Sequence, residues 1–323
     1  MQKESELMTQ RIDVHHHLLP DFYIEAVGTE RITQQAPRRS RVALDWTPQR
    51  SLDEMDANGV AAAVLSVSAP GLWFGDQAWT TRLARRCNDY QAGLVRQHPA
   101  RLGLFAALPL PDVDATLAEI EHAGDQLGAD GFCLFSSYGN RYPGEAEFAP
   151  VFDELNRRRA VVFVHPNVAD ACRDLLPGIP ASTLEFPLDT TRAATSLLYS
   201  GTLARCPDIR FIFSHAGGAL PYLATRISRL EIQEDFADKV PGGALNLLQR
   251  QYYDTALSAN RPALAALEQF VPASQVLYGS DFPFAPGMMG RTIHGLAEYG
   301  FTPEVLRGIE RGNARRLFPR LGG

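Results

Sequence analysis

Short apolar runs alternate with longer segments of helical periodicity along nearly the whole chain. One helical segment opens at Thr47 and Pro48, and Leu52 and Met55 lie on its inward-facing stripe. Eight of the apolar runs have the length of buried strands, and six of these contain β-branched residues. These predicted strands are residues 12–15, 61–68, 102–108, 131–135, 161–165, 210–214, 252–257 and 276–279.

Strands that alternate with helical crossovers indicate a parallel sheet with its helices outside. Eight such units predict an α/β fold of the closed (β/α)8 type, a TIM barrel, and the first strand is not followed by the glycine-rich turn of a dinucleotide-binding fold. No Pro/Gly/Ser-rich linker divides the chain, so we expect one domain over residues 11–323, after a disordered lead of residues 1–10. Residues 21–45 are too many for a plain loop, and they predict an insertion after strand 1 that carries Arg38, Arg39 and Arg41.

Composition excludes several classes of protein. With 45% hydrophobic residues and a net charge of −6, the chain has no basic surface for nucleic acid or an anionic membrane. No apolar run approaches the roughly 18 residues of a membrane span, and the first ten residues lack the core of a secretory signal. Cys87, Cys133, Cys172 and Cys206 are widely spaced, which argues against disulfides or a structural zinc cluster. We expect a cytoplasmic protein with no membrane partner.

Polar residues collect where four of the predicted strands end. His15 and His17 lie at the end of the first run, His165 closes the fifth, His215 follows the sixth, and Asp281 follows the eighth. Because side chains alternate along a strand, His15 and His17 point the same way, toward the barrel axis, while His16 points away. The carboxyl ends of barrel strands form active sites, and imidazoles with a carboxylate suit a divalent metal in a catalytic site.

Each of these residues alone has a structural interpretation. A lone H-x-H is often incidental, a single histidine can be a hydrogen-bonded core residue, and an aspartate can cap a helix. The placement of His15, His17, His165 and Asp281 at three strand ends favours one divalent metal ion per chain. We expect Zn²⁺, although Mn²⁺, Co²⁺ or Fe²⁺ would accept the same ligands.

The order of these motifs resembles the amidohydrolase superfamily, and within it the branch typified by 2-amino-3-carboxymuconate-6-semialdehyde decarboxylase. The resemblance spans residues 11–318. It is carried by I-D-x-H-x-H-x-x-P at residues 12–20, W-x-P-x-x-x-x-x-E-M-D at 46–56, S-H-A-G-G at 214–218, G-S-D-x-P at 279–283 and G-N-A-R-R-L-F at 312–318.

The resemblance implies roles for individual residues. It assigns His15, His17, His165 and Asp281 to a single metal, with His215 as the acid/base beside it. It also implies that Arg226 binds a substrate carboxylate from across a subunit boundary, and hence a homodimer or a higher homo-oligomer. Binuclear members bridge two metals with a lysine on strand 4, but the fourth run here contains no lysine, which excludes that type of site.

We expect a metal-dependent, non-oxidative decarboxylase, a carboxy-lyase that acts on a hydroxylated aromatic or related unsaturated carboxylic acid. The middle of the chain is most similar to decarboxylases of the 6-methylsalicylate type. Ring protonation must precede loss of CO₂, and His215 or Asp281 could deliver the proton while Arg226 holds a carboxylate. Aromatic side chains near the barrel mouth, Trp73 and Phe282 among them, could contact a planar substrate.

Two other functions use the same residues. A metal-dependent hydrolase would attack a lactone or an amide with metal-bound hydroxide, and only its substrate would differ. A barrel that binds a ligand without catalysis would be favoured if a ligand residue or the acid/base were missing, but all five are present.

Overall fold

The computed structural model of the protein describes residues 10–34, 43–284 and 287–321. Its core is a single sheet of eight strands, and each strand is hydrogen-bonded in parallel to the next in chain order. The strands are β1 (Arg11–His17), β2 (Val60–Ser66), β3 (Leu102–Ala107), β4 (Gly131–Phe135), β5 (Val161–His165), β6 (Arg210–Phe213), β7 (Tyr252–Asp254) and β8 (Val276–Leu277).

The first and last strands meet and close the sheet. The Val14 amide donates to the Tyr278 carbonyl at 3.0 Å, and the Asp281 amide donates to the His15 carbonyl at 2.9 Å. The His17 amide donates in the same way to the carbonyl of Phe282. The predicted (β/α)8 barrel is therefore confirmed, and the carboxyl ends of all its strands face one mouth.

Helices surround the sheet. They are α1 (Asp21–Val27), α2 (Thr29–Gln34), α3 (Pro48–Ala57), α4 (Gln77–Gln97), α5 (Val113–Glu121), α6 (Ala149–Arg157), α7 (Ala181–Tyr199), α8 (Thr202–Arg205), α9 (Leu220–Ser228), α10 (Glu234–Ala237), α11 (Ala244–Gln249), α12 (Arg261–Phe270), α13 (Met288–Tyr299), α14 (Pro303–Arg307) and α15 (Asn313–Leu317). The Thr47 side chain accepts from the Arg50 amide at the start of α3, so the predicted start of this helix is confirmed.

Helical periodicity in the sequence predicts a helix over residues 188–204, and the observed helix differs from this prediction. Helix α7 begins earlier, at Ala181, and contains Pro187, whose missing N–H is typical of a helix start rather than an interior. The Thr191 hydroxyl donates to the Pro187 carbonyl, four residues earlier, at 2.8 Å. The helix stops before Gly201, whose φ of +79° is left-handed, and α8 follows.

The predicted insertion after strand 1 contains two short helices, α1 and α2, in its described part. Arg38, Arg39 and Arg41 lie outside the described residues, as do residues 1–9 of the predicted lead. Within the part of the chain that the structure describes, no helix combines the length and apolarity that a membrane crossing requires. All four cysteines are free thiols, and Cys172 is the one that is partly exposed.

Residues 317–321 of the C-terminal segment pack into the barrel at the amino ends of its strands. The Phe105 and Phe163 rings stack with centroids 5.3 Å apart, and the Phe318 ring packs edge-on against Phe105 at 5.6 Å. Leu317 and Leu321 belong to the same buried cluster. The amino ends of the strands are thus sealed by apolar side chains, while the carboxyl ends carry the polar ones.

Removal of a large side chain from this apolar packing is expected to destabilise the fold without altering the polar residues at the other end of the barrel. Phe318→Ala removes a ring that is 1% exposed, and we expect it to lower the free energy of unfolding by about 3–5 kcal/mol. Urea unfolding measures the change. Ile232→Ala, at a residue 83% exposed, is the control and should leave the midpoint unchanged. An unchanged midpoint for Phe318→Ala would contradict the described packing.

Candidate metal centre

Three histidines and one aspartate converge at the mouth of the barrel. His15 and His17 are separated by one residue on β1, His165 is the last residue of β5, and Asp281 lies in the segment after β8. One candidate ligand atom from each lies within 4.8 Å of those from the other three, and all four residues are buried. The structure thus brings together the four residues that the sequence predicts as ligands.

The closest approaches are those expected of atoms that share one cation. His15 Nε2 lies 3.0 Å from His17 Nε2, and Asp281 Oδ1 lies 3.3 Å and 3.2 Å from these two nitrogens. His165 Nε2 is buried with no hydrogen-bond partner among the described residues. Three imidazole nitrogens and a carboxylate fit a divalent metal ion. A buried nitrogen without a hydrogen-bond partner, such as His165 Nε2, is explained if it binds that ion.

Asp254, at the end of β7, orients His15. Its Oδ2 accepts from His15 Nδ1 at 2.8 Å, which holds a proton on Nδ1 and turns Nε2 toward the other ligand candidates. Asp254 is not among the residues predicted from sequence, because an aspartate that ends a strand 239 positions from its partner has no local pattern. Gly279 leaves room for this pair, since a Cβ on it would lie 2.8 Å from His15 Cβ.

The other two histidines are oriented in the same way. His17 Nδ1 lies 3.0 Å from the Ser66 hydroxyl and 3.3 Å from the Ser66 carbonyl, and His165 Nδ1 donates to the Pro166 carbonyl at 2.8 Å. Each ring therefore uses Nδ1 in the surrounding protein and presents Nε2 to the centre. Outer hydrogen bonds of this kind fix the tautomer and the orientation of metal-binding histidines.

Burial and the neighbouring charges shift the pKa values of all four ligand candidates. Burial alone lowers the pKa of His15, but Asp254 and Asp281 reverse this and raise the pKa of His15 to about 10. Burial lowers the pKa of His17 to about 4, and burial with the neighbouring histidines holds the pKa of His165 well below its usual range. Burial would raise the pKa of Asp281, but the nearby imidazoles, those of His15 and His17 foremost, hold it well below its usual range.

His215 lies beside the four ligand candidates. Its ring centroid is 4.8 Å from that of His15, and its Nε2 is 3.8 Å from Asp281 Oδ2. Neither ring nitrogen has a hydrogen-bond partner among the described residues. The backbone of His215 is left-handed, with a φ of +53°, and its amide donates to Asp254 Oδ1 at 2.9 Å. Asp254 thus holds both His15 and the residue predicted to be the acid/base.

The aromatic residues predicted to contact substrate lie in different settings. The Phe282 ring packs on His16, with centroids 4.7 Å apart, on the side of β1 away from the ligands. Trp73 is half-buried next to the loop after β4, near Gly139. Phe284 lies closer to the centre, 5.7 Å from His17 between ring centroids, and so does Phe186, 6.3 Å from His165. Phe186 was missed because its helix continues through Pro187.

Arg226 lies in the last turn of α9 with its side chain exposed to solvent. The four ligand candidates and His215 are all buried, so Arg226 has a different environment from the rest of the predicted site. Its predicted role in binding a carboxylate stays a prediction.

Comparison with known proteins connects this geometry to a family. The amidohydrolase family matches residues 12–320 of the chain. Decarboxylase yanB of Aspergillus niger is 40% identical over 96% of this chain and 88% of its own length. A 6-methylsalicylic acid decarboxylase of Penicillium expansum is 37% identical over 97% of both chains.

Solved structures share the fold. An amidohydrolase II superposes with a TM-score of 0.86 at 31% identity and covers 96% of this chain and 99% of its own. A dihydroxybenzoic acid decarboxylase from Polaromonas sp. JS666, with bound manganese and the inhibitor 2-nitroresorcinol, has a TM-score of 0.83 at 22% identity, with 97% of each chain covered. The second likeness shows the fold alone.

The proton on His15 predicts how metal binding depends on pH. Because the pKa of His15 is raised to about 10 in the metal-free protein, a metal must displace its proton at neutral pH. We expect about one proton released per metal bound, and an affinity that rises about tenfold per pH unit from pH 6 to 8. Calorimetry in buffers of different ionisation enthalpy measures the proton count.

The matched variant is Asp254→Asn, which removes the carboxylate that contributes most to the raised pKa of His15. It should release fewer protons and show a shallower dependence of affinity on pH. Metal binding to the unsubstituted protein without proton release, or with an affinity that falls as pH rises, would refute this description of His15.

Proposed function

Since the chain belongs to the amidohydrolase family, we propose that it catalyses the metal-dependent, non-oxidative decarboxylation of a hydroxylated aromatic acid. The observation that carries the proposal is the convergence of His15, His17, His165 and Asp281 with the unpartnered ring of His215 beside them. The family and the buried site together connect this barrel to chemistry at its mouth.

The predicted carboxy-lyase activity is confirmed at the level of reaction class by the relatives, which are named as decarboxylases. These relatives favour decarboxylation over the hydrolase alternative. We propose an ortho-hydroxybenzoate as the substrate, with 6-methylsalicylate as the first compound to test, because two relatives carry that activity in their names.

We propose that one divalent ion is held by His15, His17, His165 and Asp281. Three nitrogens and one carboxylate favour Zn²⁺, and the manganese of the Polaromonas relative supports Mn²⁺ as the competing ion. When bound, the ion would supply Lewis acidity that stabilises negative charge on a substrate oxygen. Strand β4 is buried and carries no lysine, which favours a site for one metal rather than two.

His215 is the residue that we propose to protonate the substrate. Asp281 is engaged by His15 and His17 at 3.3 and 3.2 Å, whereas both ring nitrogens of His215 are unpartnered in the described structure. A proton from His215 would add to the ring carbon that bears the carboxylate. The bond to the carboxylate carbon then breaks, CO₂ leaves, and the bonding electrons restore the aromatic ring.

The substrate ring would lie among aromatic side chains at the mouth. Phe186 and Phe284 are the nearest to the ligands, beside His165 and His17 respectively. The predicted contacts of Trp73 and Phe282 with substrate stay predictions, and the packing of Phe282 on His16 favours a supporting role for that ring.

We propose that the protein acts as a homodimer or a higher homo-oligomer in which Arg226 serves the site of a neighbouring copy. Helix α9 exposes Arg226 and, four residues earlier, Tyr222, which is 86% exposed. A large exposed aromatic beside an arginine is typical of an interface. An arginine that approaches from a second copy could bind the substrate carboxylate with two hydrogen bonds.

We propose that the protein is one domain and lies in the cytoplasm. One domain over residues 11–323 is supported by the family match to residues 12–320. The free thiols support a reducing compartment such as the cytoplasm.

The proposal predicts CO₂ release from 6-methylsalicylate by protein loaded with about one equivalent of metal. His215→Ala should lower the rate by about 10²–10⁴-fold, because it removes the proton donor. It should also leave metal content unchanged, since His215 is not among the four ligand candidates. Gas evolution and elemental analysis on the same samples check both statements.

The control is His294→Ala, at an exposed histidine paired with Glu298, which should keep both activity and metal. Full activity in His215→Ala would refute its role as the donor. Metal-loaded protein that hydrolyses lactones or amides, and releases no CO₂ from any ortho-hydroxybenzoate, would move the assignment to the hydrolase alternative.

Mixing two inactive variants tests whether Arg226 acts across a subunit boundary. Arg226→Ala and His215→Ala should each be impaired alone. After they are unfolded and refolded together, about half of the dimers are mixed, and each mixed dimer has one complete site. We expect about a quarter of the activity of the unsubstituted protein to return. No recovery, with mixed dimers shown by mass spectrometry, would contradict a role in trans.

A further inference from the structure

Asp281 has a backbone conformation that a non-glycine residue rarely adopts. Its φ of +62° is left-handed, which costs about 1–2 kcal/mol relative to an ordinary conformation. Strained residues persist only where the surrounding structure holds them. The side chain of Asp281 must nevertheless lie within 3.3 Å of both His15 Nε2 and His17 Nε2. Some other group must therefore fix this backbone.

The buried carboxylate of Asp13 holds the residues around Asp281. Asp13 Oδ1 accepts from the Ser280 amide at 3.0 Å, and Asp13 Oδ2 accepts from the Ser280 hydroxyl at 2.5 Å. The Ser280 oxygen in turn accepts from the Phe282 amide at 3.1 Å. The residues before and after Asp281 are thus tied, directly or through one hydroxyl, to a single side chain of β1.

Asp13 also holds the first ligand strand. Its Oδ1 accepts from the His15 amide at 3.0 Å, and its Oδ2 lies 3.1 Å from His16 Nδ1. One carboxylate with four hydrogen bonds therefore spans the junction between β1 and the segment after β8. Because this carboxylate is fully buried, each bond is made in a low dielectric, where loss of a partner is expensive.

The other ring nitrogen of His16, Nε2, also has a hydrogen-bond partner. His16 Nε2 lies 3.0 Å from the Ser51 hydroxyl, which accepts from Trp46 Nε1 at 2.9 Å. Because the indole can only donate, the hydroxyl proton of Ser51 is left for His16 Nε2, and the ring then donates through Nδ1 to Asp13. A chain of hydrogen bonds leads from α3 to the carboxylate that holds Ser280.

We propose that Asp13 and Ser280 form a positioning pair that sets the place of Asp281 in the metal centre. Asp13 is hydrogen-bonded to none of the four ligand atoms, so it acts through the amide and hydroxyl of Ser280 and through the amide of His15. This pair gives the G-S-D segment a physical reason. Gly279 permits the close approach to His15, Ser280 anchors the chain to Asp13, and Asp281 then projects toward the ligands. The inference rests on the proposed metal site and is independent of the identity of the substrate.

Ser280→Ala tests the pair with little change in volume. Removal of the hydroxyl frees the turn around Asp281, and we expect Co²⁺ affinity to fall by about 10–100-fold, as for other outer partners of metal ligands. The visible absorption of bound Co²⁺ should also change, because it reports the arrangement of the ligands. A titration of metal-free protein with Co²⁺ measures both.

Ser214→Ala is the matched control. Ser214 is equally buried and precedes His215 as Ser280 precedes Asp281, but among the described residues its hydroxyl donates only to the Val164 carbonyl, at 3.0 Å. We expect its Co²⁺ affinity and spectrum to match those of the unsubstituted protein. An unchanged affinity and spectrum in Ser280→Ala would overturn the proposal, and so would equal losses in both variants.

Two further measurements separate a failure of the positioning pair from a failure of the metal site. If unsubstituted protein binds no Co²⁺, the proposed metal site itself is wrong. If Ser280→Ala does not fold, Ser51→Ala tests the same chain from its outer end and should weaken Co²⁺ binding in the same direction, although less. Co²⁺ binding by Ser51→Ala that is identical to that of the unsubstituted protein would then overturn the proposal.

Discussion

Hydrogen bonds between β1 and the segment after β8 close the barrel, and the same bonds bring the proposed metal ligands of the two segments together. The Asp281 amide donates to the His15 carbonyl, and Asp13 binds Ser280 on the other side of the same junction. Asp281 is thereby brought against His15 and His17 although it is far from them in sequence. If this contact between β1 and the segment after β8 were lost, the proposed ligands would move apart. The stability of the fold and the geometry of the site therefore depend on the same hydrogen bonds.

Asp254, at the end of β7, holds two other residues of the centre in place. Asp254 binds the ring of His15 through one oxygen and the backbone of His215 through the other. The proposed ligand and the proposed proton donor therefore share a single support. His215, like Asp281, has a left-handed backbone, so the two residues with the most direct proposed chemical roles are both conformationally strained.

Much of this could be predicted from sequence, for physical reasons that are specific to each element. The eight strands follow from short apolar runs, and the common direction of His15 and His17 follows from alternation along β1. Alternation does not extend past the end of β8, because the left-handed Asp281 turns the chain and directs the Phe282 ring onto His16. Asp254 could not be predicted, since its pairing with His15 depends on the closed barrel and not on any local pattern.

The central claim is that His15, His17, His165 and Asp281 hold one metal ion per chain. Anomalous X-ray diffraction from crystals of the metal-loaded protein, recorded on both sides of the absorption edge of the metal, tests it most directly. We expect one peak per chain, bounded by these four side chains, with His215 beside it and outside the coordination sphere. Two peaks in one barrel, or a peak away from these residues, would contradict it.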